Sequence, residues 1–396
     1  LAQLTTNSPA RDFVFITAPQ WHAARMPSDS DTWRQLLAAG GEGAAEPQMR
    51  MRLLRKGGRP FLLFPSHGPA ASAGLELYPA QRLAARVVRA GLRRVFRAGI
   101  FPGTTETMVP FSRNSPLGAF LIQTSGSSGT DAPLFCMLAG NPNAAGQRFI
   151  FLLMDESGAP RKVIKAGMGE HALKLLEQES AFLVQWGGRE PGLPPLLGKV
   201  SDPRVGAFAL PYFPPLSART LTDKQIGEVL TPWLRSGPPV RLMDLPQWRR
   251  MEDAFGYHPS LDTLQKRWQG KLARPALYHG DFATWNVRTG ADGLMVLDWE
   301  RGEPVGPPAW DWFHYWVQHG LLVQRVPASE LFETLRACWA GPAFSAYAQE
   351  SGIAGLELEL FLGYLLYIQR IIAPAEGKQG LRGLQNIVET ALFNAG

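Results

Sequence analysis

The sequence predicts an α+β chain of two lobes, a small strand-rich one followed by a larger helical one, with a mixed α/β segment in front. Three observations carry this. The 396 residues exceed what a single hydrophobic core usually serves. Residues 134–213 alternate short apolar runs with turn residues, as strands do. From residue 221 the apolar residues recur at helical spacing almost to the end, with a strand-and-loop interruption between about 276 and 300. The boundaries that follow are 1–115 for an N-terminal extension or added domain, 116–213 for the small lobe and its hinge, and 214–396 for the helical lobe.

Composition narrows the class. A hydrophobic fraction of 45% and a charged fraction of 19% belong to a globular chain. The only two cysteines, Cys136 and Cys338, sit far apart among apolar neighbours. They argue against a disulfide framework and a cysteine-ligated zinc site, and set a reducing, cytoplasmic expectation. No apolar stretch is long enough to span a bilayer; the best, 356–372, carries Glu357, Glu359, Gln369 and Arg370 and is expected to be a buried helix. The first six residues lack a basic start and an apolar core, so no secretory signal is expected there. The net charge of +6 suits a protein that handles polyanionic nucleotides.

In chain order, Val14–Thr17 and Phe61–Phe64 are expected strands, and Asp31 caps a helix running to Leu37. Residues 41–47 and 66–74 are expected loops by composition. Arg82, Arg86, Arg89, Arg93 and Arg97 recur at three- and four-residue spacing between apolar residues, giving a helix with one basic face. A solvated face is the favoured meaning; contact with an anionic membrane or nucleic acid through Arg82–Arg97 is possible but not favoured. Ser125–Gly129 is expected to turn a hairpin, because it lacks the lysine of a phosphate loop.

The small lobe then reads as strand (134–138), loop (140–146), strand (149–153), a turn at Ser157-Gly158, and a strand carrying Lys162 and Lys165. A helix over 170–186 follows, with Glu177 and Glu179 on it. The apolar run Phe208–Phe213, closed by Pro214-Pro215, fits a hinge between lobes, with a plain edge strand as the alternative. Helices are expected over 225–234 behind a cap at Thr222 and Asp223, then 247–255 and 261–271. Beyond Asp311, helices over 329–339, 343–350, 356–372 and 380–393 complete the large lobe. The aromatic cluster Trp310, Trp312, Phe313, Tyr315 and Trp316 is expected to be core, ahead of an aromatic wall for a cationic amine.

The chemistry concentrates between these blocks. His279-Gly-Asp281 is followed by Asn286 and then by Asp298-Trp-Glu300, each set beside a short apolar strand. Phosphoryl transfer from a nucleotide needs one carboxylate to orient the acceptor hydroxyl, plus an amide and a carboxylate to hold magnesium. Mg²⁺ prefers oxygen ligands and usually takes one or two carboxylates besides substrate phosphates.

These motifs together resemble the catalytic signature of the aminoglycoside phosphotransferase and choline kinase superfamily. The resemblance implies a protein-kinase-like fold and an ATP- and Mg²⁺-dependent phosphotransferase that acts on a hydroxyl of a small molecule, such as an amino sugar, sugar or amino alcohol. It implies Asp281 as catalytic base, Asn286 as magnesium and catalytic-loop ligand, Asp298 as principal magnesium ligand and His279 as support. The run Gly306–Asp311 resembles the family element whose aspartate braces the catalytic loop. Lys165 takes the place of the phosphate-binding lysine, preferred to Lys162 because Val163-Ile164 precedes it. Glu179 is preferred as its partner, with Glu177 open. Gly140 and Asn143 would lie over the phosphates, and Leu210 and Tyr212 would meet the base. The nucleotide loop departs from the Gly-rich pattern of protein kinases, and ATP against GTP stays open. Two other readings remain: a nucleotide-binding regulator with weak catalysis, and an N-terminal basic module for an anionic partner.

Overall fold

The computed structural model describes residues 32–38, 48–78, 83–126, 132–140, 146–216, 220–372 and 379–394. The expected strand at 14–17, the cap Asp31, the loop at 41–47, Arg82, Ser127–Gly129 and Asn143 lie outside them. The fold is α+β and two-lobed, with strands gathered in the first half and helices in the second.

One antiparallel sheet dominates the small lobe. Its strands are β1 (Gln48–Lys56), β2 (Arg59–Pro65), β3 (Thr104–Pro110), β4 (Phe135–Ala139), β5 (Arg148–Met154), β6 (Pro160–Met168), β7 (Gly198–Ser201) and β8 (Val205–Pro211), in the order β3-β1-β2-β4-β5-β6-β8-β7. The first three belong to the N-terminal segment, and β2 pairs with β4 through Leu62↔Leu138 and Leu63↔Met137. The segment therefore continues the sheet of the small lobe.

Strand alternation sorts the sheet's side chains onto two faces. Leu63, Phe135, Met137, Phe149 and Phe151 pack with Trp33 and Leu36 of α1 (Thr32–Ala38). Leu117 and Leu121 from a later helix join the same cluster. Leu62, Phe64, Cys136 and Leu152 point the other way, onto Ala70 and Ala71 of α2 (Gly68–Gly74) and Phe96 of α3 (Leu83–Arg97). Residues 68–74 were expected as loop. They form a helix because small side chains let the backbone approach the sheet: a Cβ at Gly74 would lie 2.5 Å from the Cys136 sulfur. Ser125, expected in a hairpin turn, is the last residue of α4 (Pro116–Ser125), which Gly126 ends in the left-handed region at φ 74. The basic face of α3 is not simply solvated. Arg93 pairs with Glu76 and Arg89 donates to the Tyr78 carbonyl, while Arg94, Arg97, Val87 and Val88 are exposed.

Helix α5 (Glu170–Trp186) packs on β6 and β8. The large lobe adds α6 (Asp223–Leu230), α7 (Pro246–Phe255), α8 (Pro259–Trp268), α9 (Trp310–Gln318), α10 (Ala328–Trp339), α11 (Pro342–Ser351), α12 (Glu357–Tyr367) and α13 (Gln379–Asn394). Short strand pairs set the loops between them: β9 (Val240–Arg241) with β10 (Leu272–Ala273), β11 (Ala276–Tyr278) with β14 (Glu303–Gly306), and β12 (Val287–Gly290) with β13 (Gly293–Val296). Trp310, Trp312, Phe313 and Tyr315 are wholly buried, so the aromatic helix is core. No helix among the described residues is long and apolar enough to cross a membrane.

Candidate active site

A cleft of about 380 Å³ runs between the lobes. Leu138, Ile150 and Val163 line it from the sheet, Leu210 and Tyr212 from the hinge, and Asn286, Leu297 and Asp298 from the large lobe. Gly140 lines it as expected, at the end of β4. The hinge is tied to the large lobe: Thr289 N–H donates to the Pro214 carbonyl, and Pro215 bridges to Arg288.

Lys165 also lines this cleft. Its ammonium donates to both Glu179 carboxylate oxygens at 2.7 and 2.8 Å, and to Asp298 Oδ1 at 2.7 Å. Lys162 instead reaches the Thr124 carbonyl, and Glu177 pairs with Lys199 at the surface. Geometry thus separates the candidates that spacing left open. Glu179 is fully buried and also accepts from the Trp299 backbone N–H, so one carboxylate couples α5 to the 298–300 segment. Phe182 stacks on the Trp299 indole, centroids 5.0 Å apart, which reinforces the same junction.

The electrostatics follow from burial and crowding. Burial pushes Glu179 up, to about 7, assisted by the Asp298 charge and opposed by Lys165. Burial works in the same direction on Asp298, but the Lys165 ammonium outweighs it and holds that carboxyl down near 2. Lys165 would be lowered by burial, yet its two carboxylates keep it above its ordinary value. Asp298 also carries φ 74, a left-handed backbone that a non-glycine residue adopts at a cost of roughly 1–3 kcal/mol. Its side chain stays about one-third exposed to the cleft.

The 279–286 loop is built on a glycine and an aspartate. Gly280 turns at φ 77, where a Cβ would press within 3.0 Å of Arg301. Asp311, on α9, accepts from the backbone N–H groups of His279 at 2.7 Å and Gly280 at 3.0 Å. His279 Nδ1 accepts from the Asp281 N–H, so its Nε2 donates to the Leu297 carbonyl at 3.0 Å. The ring therefore splints the Asp281 loop to the strand that leads to Asp298. Burial lowers the imidazole to about 4 and keeps it neutral.

This gives a pH test. The folded protein holds His279 neutral down to about 4, whereas an unfolded histidine takes its proton near 6.5. Stability from this residue is therefore lost as pH falls from about 6.5 toward 4. In urea unfolding, the gap between wild type and His279→Asn should narrow by ~2–3 kcal/mol between pH 7.5 and 4.5, at 1.36 kcal/mol per pH unit. Parallel profiles would contradict the neutral splint.

Asn286 donates through Nδ2 to the Asp281 carbonyl and to Asp281 Oδ2, at 2.9 and 3.0 Å. No described residue donates to its amide oxygen, which leaves that oxygen for a cleft ligand. Asp281 Oδ1 contacts His314 Nε2 at 3.1 Å, and Tyr364 contacts the other ring nitrogen at 3.0 Å. Burial would raise Asp281, but the His314 hydrogen bond and neighbouring positive groups lower it below the ordinary range. Sequence reasoning missed His314, because it is one polar residue inside an aromatic helix. It also missed Arg148, whose guanidinium pairs with Glu300 across the lobes, and Arg288 on the cleft floor.

Oxygen ligands suited to a hard divalent ion converge here. One carboxylate oxygen each of Glu179, Asp298 and Glu300 lie within 4.8 Å of one another. Lys165 occupies only Oδ1 of Asp298 among the contacts described, and Asn286 adds its amide oxygen nearby. The donor set fits Mg²⁺.

Sequence comparison finds no matching family model and no matching curated protein. Solved structures do match. The chain is similar in structure to small-molecule kinases. A thermostable mutant of aminoglycoside phosphotransferase APH(4)-Ia, in ternary complex with ADP and hygromycin B, shares 14% identity at a TM-score of 0.39 over 71% of this chain and 94% of its own. A putative fructosamine-3-kinase from Haemophilus somnus 129PT shares 12% at 0.41, over 70% and 96%. Aminoglycoside phosphotransferase APH(3'')-Id from Streptomyces rimosus shares 14% at 0.37, over 64% and 97%.

Proposed function

We propose that the protein is an ATP- and Mg²⁺-dependent phosphotransferase that moves the γ-phosphate to a hydroxyl of a small molecule. The observation that carries it is the position of Lys165, gripped by Glu179 and held against Asp298 on the lining of a cleft between lobes. Asp298 stays one-third exposed on a strained backbone beside the open cleft, and such strain clusters at functional sites. The apolar walls, Leu138, Val163 and Leu210 above and Leu297 below, suit a flat base, and Lys165 suits the α- and β-phosphates.

Asp281 orients the acceptor hydroxyl and takes its proton; held anionic by its surroundings, it works by placement more than by proton affinity. Asn286 keeps Asp281 in position through its amide nitrogen. Asp298, Asn286 and a neighbouring carboxylate would hold magnesium, which neutralises charge on the phosphates when bound. His279 and Asp311 fix the loop. Both cysteines are free and buried, which supports a reducing, cytoplasmic setting.

The test is an ADP-release screen over amino sugars, sugars and amino alcohols with ATP and Mg²⁺, with the Asp281→Asn protein as blank. Acceptor-dependent ADP release above the blank is expected for at least one class. Stoichiometric ATP binding with no acceptor-dependent release would favour a nucleotide-binding regulator.

A further inference from the structure

Strand β5 brings a second cation to the cleft besides Lys165. Arg148 lines it and donates through Nη1 to Glu300 Oε2, joining the small lobe to the 298–300 segment. A guanidinium carries five N–H donors in a planar fork, and no other described residue accepts from Arg148. Its side chain keeps 24% of its surface exposed, so part of the fork can meet a ligand. Burial would lower the guanidinium, but the charges of Glu300, Asp298 and Glu179 hold it above its ordinary value.

Sheet register fixes where Arg148 stands along a bound nucleotide. In the β5–β6 ladder Ile150 lies opposite Lys165, and Arg148 opposite Gly167. In the β6–β8 ladder Val163 lies opposite Leu210, and Lys162 opposite Pro211 beside the hinge. Followed along β6 from the hinge, the order is therefore Val163, Lys165 and then Arg148, two residues or ~7 Å past Lys165. Two-residue steps keep side chains on one face, and Val163, Lys165, Ile150 and Arg148 all line the cleft. A nucleotide with its base at Val163 and Leu210 and its α- and β-phosphates at Lys165 runs the same way. Its terminal phosphate then lies beyond Lys165, on the side where Arg148 stands. A guanidinium fork matches phosphate oxygens in pairs.

We propose that Arg148 binds the terminal phosphate of the nucleotide, and that Glu300 keeps the guanidinium in the cleft until that phosphate takes it. This rests on the phosphotransferase reading above. Glu300 is also one of the three carboxylates placed to share a cation, so a cation arriving with the nucleotide competes with Arg148 for it and favours the exchange.

Calorimetric titration of the full chain with ADP and with a non-hydrolysable ATP analogue, each in EDTA and in Mg²⁺, tests this. Arg148→Ala should weaken the triphosphate on the order of 10-fold in both conditions while ADP binding stays near wild type. Arg148→Lys should recover part of the loss, because it keeps the charge without the fork. Glu300→Gln frees the guanidinium, so in EDTA it should bind the triphosphate at least as tightly as wild type. Thermal unfolding checks that each variant is folded. Equal weakening of ADP and the triphosphate in Arg148→Ala, or a weaker triphosphate in Glu300→Gln in EDTA, would make the pair a structural latch between lobes and overturn the proposal. So would triphosphate binding that Arg148→Ala leaves unchanged. Any of these results in a wild type that binds nucleotide refutes the Arg148 contact alone; a wild type that binds neither nucleotide refutes the phosphotransferase reading and this proposal with it.

Discussion

Replacing Asp298 by alanine is expected to lower turnover by roughly 10²–10³-fold or more, the loss seen when one preorganised electrostatic group is removed. The carboxylate faces the cleft, is held near a pKa of 2, and supplies the oxygen that Lys165 leaves for a cation. Magnesium-linked tightening of ATP binding should disappear with it, whereas binding of ATP alone should fall little, because Lys165 keeps Glu179. Stability should move the other way. A residue at φ 74 is strained unless it is glycine, so Asp298→Gly should hold or raise the unfolding midpoint while also losing turnover. Retained turnover in steady-state assays of either variant would remove Asp298 from the metal site. A marked fall in stability would instead make the Lys165 contact structural.

The parts of this arrangement legible in the sequence are those whose geometry is local. Asp281, Asn286 and Asp298 fall in one short stretch, and the β12–β13 hairpin between Asn286 and Asp298 is announced by Asp292-Gly293 and alternating apolar residues. The α+β order and helix α5 were legible for the same reason, since strand and helix periods appear within ten or so residues. Spacing left Lys162 against Lys165 and Glu177 against Glu179 open. What separates them is tertiary: Glu179 is the one facing Lys165 and the Trp299 amide.

What the sequence hid are contacts made at long range. Arg148 and Glu300 are 152 positions apart, and neither stands in a pattern that marks it. The continuation of the sheet by β1–β3 is a matter of edge pairing, which side-chain alternation cannot assign to a partner. Helix α2 was obscured by composition, because its Ala, Ser and Gly residues resemble a loop until the Cys136 surface they pack on is known. On α3 the exposed Arg97 fits the solvated face, whereas the contacts of Arg93 and Arg89 were hidden, since Glu76 and Tyr78 lie outside the helix.

Changing Asp281 to asparagine is expected to spare nucleotide binding and reduce phosphoryl transfer by about 10²–10⁴-fold, the range for loss of a positioned general base. The substitution is nearly isosteric, and Asp281 touches neither Lys165 nor Asp298 through a hydrogen bond, so the nucleotide end of the cleft should be undisturbed. Its effect is confined to the acceptor end. Asp281 accepts from Asn286 at Oδ2 and contacts His314 at Oδ1, so both oxygens are fixed and the carboxylate cannot swing away from its task. His314→Phe separates placement from charge: Asp281 then keeps Asn286 but loses the contact that lowers its pKa. That variant should retain measurable transfer and shift the acid limb of the pH–rate profile upward, because Asp281 would protonate at a higher pH. Transfer at the wild-type rate in Asp281→Asn would exclude it as the base. An acid limb unmoved in His314→Phe would mean that His314 merely fills space.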